Sequence, residues 1–258
     1  MSKAPNMPGV YSLQVTRNER IASGVAGIAV ALGDSLFSAK PGQFMHIKCG
    51  EGLLLRRPVS ICTASQSEIF FVIETKGAGT QWLSERKPGD ILDVFGPLGR
   101  GFDIPGSGFI VAGGGVGAAP LLFAAQAAAG KATAVLGFRS VKNVILEKEF
   151  AAACDKVLIA TEDGSTGVKG TVTGPLDTLI RSGAYAGVLA CGPRPMLAAV
   201  AKTCGRRGVD CMVSLEERMG CAIGACMVCS CRTHADGAER MSRVCKDGPV
   251  FNATEIVW

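Results

Sequence analysis

Four cysteines in the last fifth of the chain limit what it can fold into more than any other feature. Cys221, Cys226 and Cys229 follow a C-x4-C-x2-C spacing, and Cys245 comes after fifteen intervening residues. This is the plant-type arrangement of a [2Fe-2S] centre, in which a short loop wraps one side and a distant cysteine closes the cage. Gly220 and Gly224 would let the loop turn tightly and aim amide N–H groups at the sulfurs. Four thiolates also suit Zn²⁺, although zinc sites usually pair two C-x2–4-C knuckles and only one such step is present here. Buried free thiols are a third reading. Cys231, in the same loop, reads as a small apolar side chain beside the centre, with a swap for Cys229 as the alternative.

The remaining cysteines follow from compartment. No basic-plus-apolar leader and no run of 18 apolar residues is present, which predicts a cytoplasmic chain with no membrane span. In that setting eleven cysteines read as metal ligands and free thiols, not as a disulfide framework. The 258 residues can bury more than one core. The 34 glycines cluster in short motifs, as tight turns around ligands require. Of the net charge of +5, the surplus lies in residues 106–209, with 11 basic against 6 acidic side chains, where a dinucleotide would bring phosphates. No basic run is interleaved with aromatics, so nucleic acid is not an expected partner.

Residues 1–105 predict a small antiparallel β-barrel, from strand-length segments at 10–17, 25–31, 44–49, 69–74 and 91–94 between turn signals, with a helix at 79–86. Three anion-binding pieces lie within it. Arg56 and Arg57 precede Pro58-Val59-Ser60, where two guanidinium groups could meet a diphosphate and Ser60 offers a hydroxyl. At Lys76-Gly77-Ala78-Gly79-Thr80 a glycine turn enters the helix, offering amides, the Thr80 hydroxyl and the Lys76 charge. The turn Gly96-Pro97-Leu98-Gly99-Arg100-Gly101 closes the domain. Each piece alone would pass as a solvated arginine pair or an ordinary turn.

Residues 106–209 predict a Rossmann-like parallel sheet with helices on both faces. A buried strand from Phe109 runs into Gly113, Gly114, Gly115 and Gly117, then into an alanine-rich helix. The G-x-G-x-x-G fingerprint is met loosely, with Ala118 at its last position. Ligands should gather where strands end, at residues 137–140, at 161–163 and at Cys191-Gly192-Pro193. Cys191 is either a contact to a nicotinamide ring or a buried thiol at a strand end. Cys49, Cys62, Cys154, Cys204 and Cys211 show no ligand spacing. His46 and His234 build no Ser-His-Asp or metal constellation, so hydrolase machinery is absent. Residues 210–258 form the expected cluster domain.

With these motifs in place, nearly the whole chain resembles the electron-transfer subunits of NAD-dependent bacterial dihydroorotate dehydrogenase, within the ferredoxin–NADP reductase superfamily. The resemblance implies that Arg57, Pro58, Val59 and Ser60 form the flavin motif, with the arginine at the FAD diphosphate and the serine near the redox edge. It implies that Gly79 and Thr80 lie beside the FAD phosphates, and that residues 113–117 and 191–193 serve NAD. Cys221, Cys226, Cys229 and Cys245 would be the cluster ligands, and residues 244–251 the closing segment. Two departures stand out. Ala222 replaces a family glycine, at a cost of roughly 1 kcal/mol if that position needs a positive φ, and Cys231 crowds the third ligand.

A nicotinamide moves two electrons, a flavin two or one, and an iron–sulfur centre one, so three such sites in one chain form a converter. The resemblance implies an FMN-containing catalytic partner, two copies of each subunit, and net flow from dihydroorotate through FMN, [2Fe-2S] and FAD to NAD⁺ in pyrimidine biosynthesis. No dihydroorotate site or acid–base pair is visible in this chain. The alternatives are a flavin subunit of another NAD(P)H:acceptor complex, such as a ferredoxin–NADP or sulfide dehydrogenase assembly, and a zinc-stapled nucleotide-binding regulator. In some of the former an aspartate replaces the first cluster cysteine, and Cys221 argues against that branch. The sequence does not choose between NADH and NADPH.

Overall fold

A computed structural model describes residues 8–33, 38–106, 108–183, 185–235 and 237–258. The first six strands are β1 (Gly9–Ala22), β2 (Val25–Ala31), β3 (Phe44–Ile47), β4 (Arg57–Ala64), β5 (Glu68–Glu74) and β6 (Ile91–Leu98). They close into a barrel in the order β1-β2-β5-β4-β3-β6, every pairing antiparallel. Alternate residues of these strands, among them Leu13, Ile28, Met45, Ile47, Ile61, Phe71 and Val94, fill its interior. The barrel strand that the sequence did not announce is β4, which carries the segment expected as the flavin motif. Helix α1 (Ala78–Ser84) follows β5, one residue earlier at its start and two shorter at its end than expected.

The second layer begins at β7 (Phe109–Gly114), which passes through a 3₁₀ turn into α2 (Ala118–Ala127). There follow β8 (Ala132–Phe138), α3 (Glu147–Ala153), β9 (Lys156–Thr161), β10 (Val168–Lys169), α4 (Thr173–Ile180), β11 (Val188–Cys191), α5 (Arg194–Arg207) and β12 (Cys211–Ser214). After them come β13 (Ser230–Ala235), β14 (Ala238–Arg243) and β15 (Val250–Asn252). The sheet order is β10-β9-β8-β7-β11-β12-β15. Six of its strands run parallel, and β15 joins β12 antiparallel, so the expected parallel sheet is mixed. The sheet thus continues past residue 209, and its last two strands flank the cysteine loop.

β13 and β14 form a separate hairpin carrying the cysteine segment. One core nevertheless joins all three regions: Phe44 and Leu98 from the barrel pack with Ile110 and Val213 from the sheet and with Cys229, Cys245 and Phe251. A backbone bond from Arg100 N–H to the Gly248 carbonyl, 2.6 Å, ties the barrel's closing turn to the cysteine segment. Among the described residues no helix is long and apolar enough to cross a membrane.

Candidate functional site

The cysteine loop is built by backbone conformations that bring thiols and amides together. Gly224 takes φ +83°, and Ala222 and Met227 adopt φ +59° and +60°. The expectation for Ala222 therefore meets a position that does need the left-handed region. The strain of roughly 1 kcal/mol is offset by the methyl group, which is fully buried in the shared core. The amides of Ala225 and Cys226 donate to Cys221 Sγ at 3.3 and 3.4 Å. From the distant segment, Cys245 N–H donates to Cys229 Sγ at 3.4 Å, and Val244 N–H to the Cys229 carbonyl at 3.0 Å.

These contacts sort the thiols into two pairs. The Cys226 amide donates to the Cys221 sulfur, and the Cys245 amide to the Cys229 sulfur. Among the described residues, no three His, Cys, Asp or Glu side chains converge as ligands for a single ion. A two-iron centre takes two thiolates at each metal, and the paired arrangement of amide-to-sulfur contacts fits that division. Burial opposes ionisation of Cys221, but the Ile223, Cys226 and Ala225 amides and the Cys226 thiol outweigh it and bring its pKa to about 6. Burial and the hydrogen bond to Cys229 push Cys245 up to about 12. Cys231 is drawn into β13 opposite Ser242 and makes none of the hydrogen bonds that link the other four.

The expected diphosphate site is redistributed. Arg56 is spent on structure: its guanidinium grips both oxygens of Asp93 at 2.8 and 2.9 Å and donates to the Asp93 carbonyl at 3.0 Å. Arg57 is paired with no carboxylate among the described residues, and its guanidinium lies on the entry to α1. A Cβ on Gly79 would sit 2.7 Å from its Cζ, so glycine is what lets the arginine lie there. Lys76 pairs with Glu74 at 2.8 Å. Thr80 Oγ1 accepts from the Lys76 and Gly77 amides at 2.9 and 3.2 Å and donates to the Gly77 carbonyl at 3.1 Å, fixing the turn. Pro58 and Ser60 are half-buried along β4, with Val59 turned into the barrel core.

The glycine motif and the Cys-Gly-Pro motif meet. A Cβ on Gly117 would lie 2.6 Å from the Cys191 carbonyl oxygen and from Gly192 Cα, and one on Gly114 would lie 3.1 Å from Pro193 Cδ. Gly113 has Ala118 behind it, where a Cβ would come within 2.9 Å of the Ala118 Cα. Gly115 takes φ +55° at the start of the turn. This packing leaves room only for backbone, the surface that a pyrophosphate uses at a helix start. Cys191 itself is 1% exposed, and burial, with Glu216 second, raises its pKa.

Glu216 is the residue that motif reading missed. It follows β12, and its carboxylate is felt by the Cys191 thiol, while Lys76 and Glu74 act on it from the barrel side. Although the residue is exposed overall, burial of the carboxyl raises its pKa, Lys76 opposes and Glu74 adds. Its only sequence signal was an acidic pair just beyond the last parallel strand.

Comparison with known proteins places this geometry. Residues 216–257 match the iron-sulfur cluster binding domain of dihydroorotate dehydrogenase B. The electron transfer subunit of dihydroorotate dehydrogenase B (NAD(+)) from Caldanaerobacter subterraneus subsp. tengcongensis is 39% identical over 247 residues, covering 95% of this chain and 97% of that one. Its counterpart from Geobacillus thermodenitrificans is 43% identical over 231 residues, covering 84% and 87%. Among solved structures, an NADH-dependent reduced ferredoxin-NADP oxidoreductase, described for flavin-based electron bifurcation, superposes with a TM-score of 0.85 at 31% identity, covering 97% of this chain and 91% of that one. The matches span all three regions, and on them the chain belongs to the family of dihydroorotate dehydrogenase B (NAD(+)) electron transfer subunits.

Proposed function

We propose that the chain passes electrons between the FMN of a dihydroorotate-oxidising partner subunit and NAD⁺, in pyrimidine biosynthesis. When bound, a [2Fe-2S] cluster supplies one-electron transfer, FAD the conversion between one and two electrons, and nicotinamide the hydride. The observation that carries the reading is the two-and-two pairing made by the Cys226 amide on the Cys221 sulfur and the Cys245 amide on the Cys229 sulfur, in one core with the nucleotide sheet.

The protein's own part is positioning. Cys221, Cys226, Cys229 and Cys245 would hold the cluster, with the Ala225, Cys226 and Cys245 amides aimed at sulfur. Arg57 would meet the FAD diphosphate at the α1 entry, with Pro58, Val59 and Ser60 shaping the flavin's strand and residues 76–80 its turn. Gly113, Gly114, Gly115 and Gly117 would seat the NAD pyrophosphate, with Cys191, Gly192 and Pro193 forming the opposite wall. The domains would divide at 1–105, 106–209 and 210–258, as flavin barrel, nucleotide domain and cluster domain, with β12 and β15 of the last segment completing the nucleotide sheet. Ile223, Met227 and Val228, 53%, 47% and 58% exposed around the cluster loop, would receive the partner, in an assembly of two copies of each subunit.

The test is dihydroorotate:NAD⁺ turnover by the purified chain, alone and with a candidate FMN subunit. Turnover only in the mixture, with FAD and two irons per chain, is the expected result. NADH oxidation that never couples to dihydroorotate would leave a flavin reductase serving another acceptor, and the pyrimidine reading would fail.

A further inference from the structure

Arg243, the last residue of β14, joins two segments that the cysteines alone bring only near each other. Its Nε and Nη2 donate to the two oxygens of Asp247 at 2.9 and 3.0 Å, and its own amide donates to Asp247 Oδ2 at 2.8 Å. The amides of Lys246, Asp247 and Gly248 return to the Arg243 carbonyl, at 3.1, 2.8 and 3.4 Å. Cys245 is thus carried in a knotted turn with little freedom. The remaining arm reaches across: Arg243 Nη1 donates to the Gly224 carbonyl at 3.1 Å. Gly224 lies so close beneath this turn that a Cβ would meet Lys246 Cδ at 2.6 Å and Arg243 Nη1 at 3.4 Å.

The Gly224 carbonyl is one end of a planar peptide unit whose other end is the Ala225 N–H. That N–H donates to Cys221 Sγ at 3.3 Å. Fixing the carbonyl therefore fixes the direction of the N–H, and a cationic donor on the oxygen polarises the N–H as well. Hydrogen bonds to cluster sulfurs tune reduction potential. We propose that Arg243 is a positioning residue for the metal centre: it locks the 224–225 peptide so that the Ala225 amide faces sulfur, and it latches the cysteine loop to the Cys245 turn. This rests on the reading of the four cysteines as cluster ligands.

Lysine preserves the charge but cannot grip both Asp247 oxygens and the Gly224 carbonyl in one plane. The experiment compares the full chain with its Arg243→Lys and Arg243→Gln variants, by iron and FAD content, the midpoint potential of the cluster, and the rate of iron release to a chelator. Both variants should keep FAD, show a lowered potential and release iron several-fold faster. A lysine variant that matches the parent in potential and release would reduce Arg243 to a charge and overturn the latch, as would two unchanged variants. Arg243→Lys, the milder change, decides the matter where Arg243→Gln does not fold. A parent chain that binds no iron would instead defeat the cluster reading itself.

Discussion

Arg57 can lie across the start of α1 because residue 79 has no side chain. An alanine there displaces the guanidinium, and a charge-assisted hydrogen bond is worth about 1.5–3 kcal/mol. Gly79→Ala should therefore weaken FAD binding about 10- to 100-fold while leaving iron content intact, as titration of the deflavinated protein would register. The cysteines allow a cleaner contrast. Cys231→Ser should retain full iron, because that thiol is committed to β13, whereas Cys229→Ser should lose iron or hold it with an altered spectrum. Equal iron with unchanged spectra in both variants would remove Cys229 from the ligand set. The candidate ligand set was legible in sequence because metal chemistry dictates both residue type and spacing. The parting of Arg56 from Arg57 was not, because it depends on Asp93, which arrives from another strand.

At the scale of elements, legibility followed local pattern. β2 was readable to the residue because an apolar segment sits between clear turns. β4 was hidden by Arg57-Pro58, since proline usually argues against a strand, yet Pro58 sits in register with His46 on β3. β6 ran on through Gly96-Pro97 to Leu98 where those residues suggested a stop. β15, three residues long, has no sequence signature and exists because β12 offers it an edge. The β3–β4 pairing also carries a pH dependence. His46 is 2% exposed and its Nε2 finds no hydrogen-bond partner among the described residues. Burial first, and the Arg56 charge second, lower its pKa from 6.5 to about 4. The unfolded chain then binds the extra proton between those values, so this stability is full above pH 6.5 and drains as pH falls towards 4. The loss amounts to roughly 3 kcal/mol. His46→Phe should flatten the stability curve of the barrel in that window, measured by denaturant unfolding at stepped pH. A slope identical to the parent's would assign the acid sensitivity to carboxylates.

For the whole molecule, the exposed side chains Ile223, Met227 and Val228 surround the thiols where an electron must leave or enter. Electron transfer needs close approach, so a partner should cover this loop. Val228→Asp should weaken association with the FMN subunit by at least about tenfold, as for a buried interface residue, and leave NADH oxidation by artificial acceptors unchanged. Equal affinity in an equilibrium binding measurement would move the interface elsewhere. The order of synthesis adds a constraint of its own. Cys245, the contact from Gly248 to Arg100, and β15 all lie within residues 245–252. A ribosome makes this short stretch after the barrel and after every other strand of the nucleotide sheet. Until it emerges, the cage lacks a wall, the sheet lacks its final edge and the barrel lacks its tie. Closure of the cysteine loop is therefore a late step in biogenesis, and a nascent chain stalled before this stretch would present Cys221, Cys226 and Cys229 with no means of closing over them.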